Sequence, residues 1–273
     1  VATLNPDLKM IAPVRAWKIG REEELEYCRT HGIPLKGGTS AAPYSIDDNL
    51  WGRSSEGISI EDLGSPPPDD VFQLVTRPEL APDEPETVVV GFEAGRPVSF
   101  NGRPMDLVEL IDAASAAGCR HGVGIVDHIE DRIVGLKVRD IYEVPAATII
   151  LTAHQELEKV VSTIHQNNFK NTLDRHWAYM AYAGLWYEPL RYDLDAFMQS
   201  ANEFVTGEVS LKLYKGTAIP TVRNSPFALY DENLASFGAS GGEFSQQASP
   251  GFIELFSLQS RMAHRVRNRE EDE

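Results

Sequence analysis

Residues 43–54 carry an unusual density of groups that can bind a polar molecule. The run reads P-Y-S-I-D-D-N-L-W-G-R-S, so hydroxyls, carboxylates, an amide and a guanidinium surround only three large apolar side chains. Burying such groups without hydrogen-bond partners is costly. From these residues alone the run is either a solvated surface loop or one wall of a site for a polar ligand.

The histidines do not form the pattern of a metal site. His154, His165 and His176 are eleven residues apart, which in a helix separates neighbours by about 16 Å of rise. Metal ligands must converge to about 2 Å from one ion. His121 and His128 alternate with apolar residues and have no Ser or Cys partner that would suggest a nucleophilic pair. We therefore predict no metal site and no catalytic nucleophile.

Residues 240–245 superficially resemble a phosphate-binding loop. The run reads S-G-G-E-F-S, but such a loop needs a buried strand before it and a helix amino terminus after it, so that backbone amides converge on the anion. Neither flanking segment has that character, which favours a flexible loop.

Nine further segments, spread in order along nearly the whole chain, resemble landmarks of the argininosuccinate synthase family. Residues 43–54 are similar to the family's citrulline-binding stretch. The further segments are residues 11–15, 31–34, 81–86, 121–124, 142–146, 184–187, 211–216, 225–231 and 251–253. Each is weak alone, but their shared order makes the resemblance specific.

The resemblance implies a ligase that joins citrulline to aspartate with ATP and Mg²⁺, in arginine biosynthesis and the urea cycle. ATP adenylates the ureido oxygen of citrulline, pyrophosphate leaves, and the aspartate amine then displaces AMP. The family's amino-terminal domain begins with a Ser-Gly-Gly-Leu-Asp-Thr-Ser loop that this 273-residue sequence lacks. We therefore expect ATP, Mg²⁺ and aspartate to be bound mainly by that domain, and this chain to be inactive without it.

Four residues match the family's citrulline-binding residues at the same separations. They are Ser45, Ser54, Glu130 and Tyr142. The ammonium of citrulline needs a carboxylate, and neutral hydroxyls can satisfy its remaining polar groups without adding net charge. Taken singly, each residue has an ordinary alternative: a turn cap, a loop hydroxyl, a hairpin-turn acid and a core tyrosine.

The chain departs from the family pattern close to Glu130. Ile125 replaces the usual arginine, Val138 the usual serine, and Asp131 the usual asparagine. Losing a guanidinium and a hydroxyl beside Glu130 leaves a second function open. The chain could be a non-catalytic, self-associating remnant that binds an amino acid or a partner protein.

The elements that must position these residues are predicted to form an α+β fold, with mixed or antiparallel sheets, hairpins and several packed helices. Helices are predicted at residues 21–30, 105–117, 146–161, 167–183 and 190–204, and strands at 71–75, 87–92 and 97–100, in a hairpin across 124–138 and in a last hairpin of 208–214 with 218–222. Strand pairs interrupted by helices, without regular βαβ alternation, favour α+β over a doubly wound sheet.

Three parts are predicted along the chain. Residues 1–14 resemble the end of the nucleotide-binding domain, with residues 8–12 as its last strand, and residues 15–250 form the synthetase domain. Residues 251–273 form an oligomerisation helix with a charged tail, because an apolar helix of this kind is expected to pack on another subunit. The resemblance implies a homotetramer.

The composition of the chain argues against some classes of binding partner. The net charge of −16 argues against nucleic acid and anionic membranes. Two cysteines do not suggest a disulfide framework, and no apolar run approaches membrane-spanning length. We therefore expect a cytoplasmic protein that acts on small molecules.

Overall fold

A computed structural model describes residues 1–34, 44–57, 60–234 and 245–268. By its contacts the chain divides into two compact units, residues 1–227 and residues 228–273. The strands are β1 (Ser45–Asn49), β2 (Gly52–Glu56), β3 (Glu86–Glu93), β4 (Arg96–Phe100), β5 (Arg103–Pro104), β6 (Ile125–Asp131), β7 (Lys137–Glu143), β8 (Gly207–Tyr214) and β9 (Thr217–Asn224). The helices are α1 (Pro13–Trp17), α2 (Arg21–Thr30), α3 (Leu107–Arg120), α4 (Pro145–Val161), α5 (Ile164–Tyr182), α6 (Pro189–Ala201), α7 (Ala248–Phe256) and α8 (Leu258–Arg267).

The first unit contains two antiparallel sheets. Sheet A has the strand order β1-β2-β7-β6, and sheet B has the order β5-β4-β3-β8-β9. Helices α3 and α4 pack together, and both contact sheet B. Their apolar faces and the alternate residues of β3 and β8 form the larger core, which includes Val88, Val90, Leu110, Ile149, Leu157, Leu211 and Leu213. The predicted α+β class is confirmed.

Local signals place the helix ends. The side chain of Asp106 accepts a hydrogen bond from the backbone N–H of Glu109 at 2.9 Å, so α3 begins at Leu107 rather than at residue 105. Pro145 occupies the first turn of α4, where a missing N–H costs nothing. A Cβ at Gly124, whose φ is +97°, would lie 2.6 Å from Pro145 Cα, so only glycine lets β6 pass this close to the start of α4.

Two predicted strands are wrong. Residues 71–75 continue irregularly from a short 3-10 helix, Asp69–Val71. The buried carboxylate of Glu143 accepts the backbone N–H groups of Gln73, Leu74 and Val75 at 3.3, 2.8 and 2.7 Å, so these donors need no neighbouring strand. Residues 8–12 are also irregular and exposed, and no described strand pairs with them.

The second unit contains α7 and α8, which meet at Ser257. The apolar residues predicted to drive assembly lie on these helices: Phe252, Ile253, Leu255, Phe256, Leu258, Met262 and Val266 are all about half exposed or more. Residues 240–244 of the glycine-containing run, and the segment at residues 36–42, lie outside the described residues. Among the helices of the described ranges, none is long and apolar enough to cross a membrane.

Candidate functional site

One face of sheet A carries the residues predicted to bind citrulline. Ser54 on β2 is directly opposite Tyr142 on β7, and Asp47 on β1 is directly opposite Ser54. On the other side, Val126 on β6 is opposite Tyr142. Opposite residues, and residues two apart on a strand, share a face of a sheet. This front face therefore carries Ser45, Ser54, Glu130 and Tyr142.

Glu130 and Tyr142 are in direct contact. The hydroxyl of Tyr142 donates to Oε2 of Glu130 at 2.6 Å, and the hydroxyl of Tyr182, the last residue of α5, donates to Oε1 at 2.7 Å. The hydrogen bonds from Tyr142 and then from Tyr182 lower the pKa of Glu130. The side chain is only 16% exposed, so an ionised carboxylate with a fixed orientation stands on the front face.

A guanidinium and two more carboxylates complete this charged cluster. Arg132 forms an ion pair with Glu56, and its guanidinium lies 3.9 Å from Glu130 and 4.0 Å from Asp140. Burial, followed by the negative charges of Glu130 and Glu56, raises the pKa of Asp140 to about 6. With one cation against three acids, the cluster is net negative and favours a cationic ligand group.

The cluster borders a cavity of about 930 Å³. One side is formed by residues of β6 and β7, and the other by one face of α5. The lining residues are Trp51, Val126, His128, Ile129, Glu130, Asp131, Tyr142, Val144, Ala147, Arg175, Ala178, Tyr179 and Tyr182. The volume is in the range that holds a small molecule, and Arg175 adds a cation to the same wall as Tyr182. The cavity can therefore receive a molecule that carries both a positive and a negative group.

The two serines lie on the front face but not in the lining of this cavity. Ser54 is next to Tyr142 in the sheet and partly buried, whereas Ser45 is exposed on the edge strand β1 opposite Glu56. The structure thus brings Glu130 and Tyr142 together, places Ser54 beside them and leaves Ser45 furthest from the cavity. A contact between either serine and citrulline stays a prediction.

The strand register places the three departures from the family pattern on different faces of sheet A. Val138 is directly opposite Glu130, so a serine there would have lain beside the carboxylate. Ile125 is opposite Glu143 and points to the back face of sheet A, as does Asp131. The expectation that the missing guanidinium lies beside Glu130 is therefore wrong for Ile125, because successive residues of a strand alternate between faces.

Two buried ions hold the back face of sheet A in place. Arg139 pairs with both carboxylate oxygens of Asp127, at 2.9 and 2.6 Å, and donates to the carbonyls of Asp62 and Ser65 at 2.9 Å each. Glu143 anchors the segment after Val71 as described above. These contacts fix β7, and with it the position of Tyr142.

A second cavity, of about 820 Å³, adjoins the first, since Trp51 and Ala178 line both. Its walls are mostly apolar, and its charged groups pair with one another. Lys170 Nζ lies 2.8 Å from Glu158 and 2.8 Å from Asp174. Because these charges form ion pairs with one another, we assign no ligand to this cavity. Within the described ranges, no three His, Cys, Asp or Glu residues are placed to hold a metal ion.

Sequence reasoning missed Tyr182, Arg132 and Asp140 as parts of the site. Tyr182 could have been suspected, because Gly184 predicts the end of a helix there and an aromatic hydroxyl at a helix end can reach a neighbouring element. Arg132 and Asp140 gave no local signal, since their role depends on the pairing of β6 with β7 and on their approach to Glu56.

Two family models match most of the chain. The family model described as the arginosuccinate synthase C-terminal domain matches residues 44–263. The model described as the arginosuccinate synthase N-terminal HUP domain matches residues 1–34. The predicted boundaries at residues 14 and 250 stay predictions.

Individual relatives agree with the family models. The chain is 48% identical over 259 residues to the argininosuccinate synthase of Rubrobacter xylanophilus, covering 95% of this chain and 63% of that protein. It is 45% identical over 262 residues to that of Symbiobacterium thermophilum, covering 96% and 65%, and 46% identical over 266 residues to that of Pyrococcus furiosus, covering 97% and 64%. The chain thus spans slightly less than two thirds of the length of these relatives. By this match over nearly its whole length, the chain belongs to the argininosuccinate synthase family.

Proposed function

We propose that this chain takes part in the ATP-dependent ligation of citrulline to aspartate, which gives argininosuccinate in arginine biosynthesis. Its own share is to bind citrulline and to assemble the enzyme. The observation that carries this proposal is the Glu130 carboxylate, held by Tyr142 and Tyr182 at the wall of a cavity of small-molecule size.

The chemistry of the front face fits citrulline, which is a zwitterion with a neutral urea. An ionised Glu130 can accept the ammonium in a charge-assisted hydrogen bond. The hydroxyls of Tyr142 and Ser54 can donate and accept without adding charge. Ser45 would reach the ligand only if the ligand extends along the front face toward β1.

The ligation depends on orientation rather than on a protein nucleophile. Two nitrogens donate into the ureido carbon, so citrulline is a poor electrophile until its oxygen is adenylated. A binding site that holds the α-amino end rigidly keeps the ureido oxygen in line for that step. We assign ATP and aspartate to no described residue, and within the described ranges no three His, Cys, Asp or Glu residues are grouped as metal ligands. These substrates are expected to contact the family's nucleotide-binding part.

The same proposal includes a homo-oligomer, a tetramer by the family resemblance, built through α7 and α8. Phe256 is 78% exposed and Leu255 71% exposed, and contiguous apolar surface of this kind marks interaction sites. A second copy of the chain is the proposed occupant, because α8 carries three arginines and no acid whereas the whole chain has a net charge of −16.

Citrulline binding tests the proposal directly. By isothermal titration calorimetry, the chain should bind citrulline, and Glu130→Gln should weaken binding by roughly tenfold to a hundredfold, since a hydrogen bond to a charged group contributes about 1.5–3 kcal/mol. Ser45→Ala and Ser54→Ala should have smaller effects, because they remove neutral partners.

Two controls separate recognition from general damage. Asp112→Asn removes one negative charge from an exposed position of α3, outside the lining of the cavity, so citrulline affinity should not change. Nα-acetylcitrulline lacks the ammonium and should not compete. Undiminished affinity in Glu130→Gln would rule out this binding mode.

A further inference from the structure

We propose that Tyr182 is a positioning residue for citrulline recognition, one that orients the Glu130 carboxylate from the end of α5. This inference rests on the proposed role of Glu130 as the acceptor of the citrulline ammonium. Tyr182 is not among the four residues that the family resemblance predicts, and its role makes the end of α5 part of the proposed citrulline site.

Tyr142 and Tyr182 donate hydrogen bonds to different oxygens of the Glu130 carboxylate. A carboxylate offers about four acceptor positions on its two oxygens. Tyr142 occupies one position on Oε2 and Tyr182 one on Oε1, so each oxygen is held by a different phenol. Because the phenols come from different elements, β7 and α5, the carboxylate plane cannot rotate without breaking one of the bonds. The remaining acceptor positions are therefore held in one direction before the ligand arrives.

The position of Tyr182 is set by the way α5 ends. The backbone N–H of Leu185 donates to the carbonyl of Met180 at 2.9 Å, and that of Gly184 donates to Ala181 at 3.2 Å. This is the Schellman pattern of helix termination, and Gly184 has the positive φ of +69° that the pattern requires. The pattern fixes the last turn of α5, and the Tyr182 hydroxyl projects from that turn to Glu130.

The other charged groups near Glu130 do not replace the hydrogen bonds that the two phenols donate to it. The groups that face Glu130 are Glu56 on β2, His128 on β6, Arg132 after β6, Asp140 and Tyr142 on β7, and Arg175 and Tyr182 on α5. Nε of Arg132 lies 3.9 Å from Oε1 of Glu130, which is too far for a hydrogen bond, and the guanidinium also pairs with Glu56. The hydrogen bonds from Tyr142 and Tyr182 are the largest contributions that lower the pKa of Glu130.

Replacing Tyr182 by Phe removes only the hydroxyl from a side chain that is 47% exposed. Carbon-detected NMR of labelled glutamate carboxyls should then show the pKa of Glu130 rising without any ligand present. Calorimetry should show citrulline binding about three- to tenfold weaker, the effect of one lost hydrogen bond. Binding should also be lost at a higher pH than in the unsubstituted chain, because Glu130 becomes protonated earlier as the pH falls.

Tyr179→Phe is the matched control, since Tyr179 lines the same cavity from the same helix and is similarly exposed. It should change neither the titration of Glu130 nor the pH dependence of binding. An unchanged Glu130 titration in Tyr182→Phe overturns the inference whatever the ligand. A raised Glu130 pKa in a chain that does not bind citrulline supports the positioning role and refutes the proposed function, so the two can fail separately.

Discussion

Glu130 and Asp140 show how two neighbouring carboxyls acquire opposite pKa shifts. Glu130 faces the cavity and accepts two phenolic hydrogen bonds, which lower its pKa. Asp140 is 5% exposed and lies near two other acids, so burial and repulsion raise its pKa to about 6. Paired groups whose environments separate their pKa values are typical of binding and catalytic sites. Here the pair keeps one full negative charge on Glu130, at the wall of the cavity.

Asp140→Asn should stabilise the protein at neutral pH. The pKa of Asp140 is about 6 when folded against an ordinary value of 3.8, so the folded state holds the proton more tightly. The free energy of unfolding therefore falls as the pH rises from about 4 to 6, by up to about 3 kcal/mol. Asparagine avoids this loss. Urea unfolding should show the variant more stable at pH 7.5, with the advantage shrinking toward pH 4.5.

The neighbouring exposed acid provides the comparison for that measurement. Asp131→Asn should give nearly the same stability as the unsubstituted chain at both pH values, because exposed ion pairs contribute little. An Asp140→Asn chain that is equally destabilised at pH 4.5 and 7.5 would contradict the assigned cause.

At the scale of elements, the two sheets are held by different means. Sheet B rests on the large apolar core with α3 and α4, whereas among the described residues the back face of sheet A has a small cluster around Ile141 and Ile60. Sheet A therefore depends on the buried contacts of Arg139 and Glu143. The site is completed by α5, whose position comes from its own capping signals, Thr163 with Gln166 at the start and Gly184 at the end.

Gly184→Ala should lower the free energy of unfolding by about 1–2 kcal/mol, the cost of a left-handed conformation for a residue with a Cβ. A Cβ there meets nothing within 4 Å, so sterics add no further cost. Gly251 offers a contrast, because it lies inside α7 with equally open surroundings and ordinary φ. Gly251→Ala should be neutral or slightly stabilising. Thermal or urea unfolding of both variants decides the matter, and equal effects would argue against the helix-end role of Gly184.

At the scale of the whole molecule, charge and apolar surface are unevenly distributed. The chain carries a net charge of −16, yet α8 has basic residues and no acid. The apolar residues of α7 and α8 remain exposed. Burying these residues against a second copy would remove apolar area from water, at about 25 cal/mol per Å², and would bring α8 to an acidic surface.

Phe256→Asp should therefore reduce self-association. Multi-angle light scattering at micromolar concentration should give an oligomer for the unsubstituted chain and a smaller species for the variant. Glu254→Gln, on the same helix, is the control and should leave the mass unchanged. A monomer in both cases, unchanged by removal of the residues after Ser249, would refute assembly through α7 and α8.

Local patterns were sufficient to predict the α+β class, the helices other than α1, and most strands of sheet B. Apolar periodicity, Pro145 and the glycines after helices act within a few residues, so they can be read without the fold. The segments shared with the family likewise identified it, and four candidate site residues followed from matched spacing.

Tertiary structure decided the rest, because it depends on partners far apart in sequence. Residues 71–75 look like a strand, but Glu143, about 70 positions away, takes their backbone donors. Tyr182 reaches Glu130 across 52 positions. The register of sheet A determined that Glu130 and Tyr142 share a cavity while Ile125 points away. A shift of one residue would have reversed these faces, since successive side chains of a strand point to opposite sides.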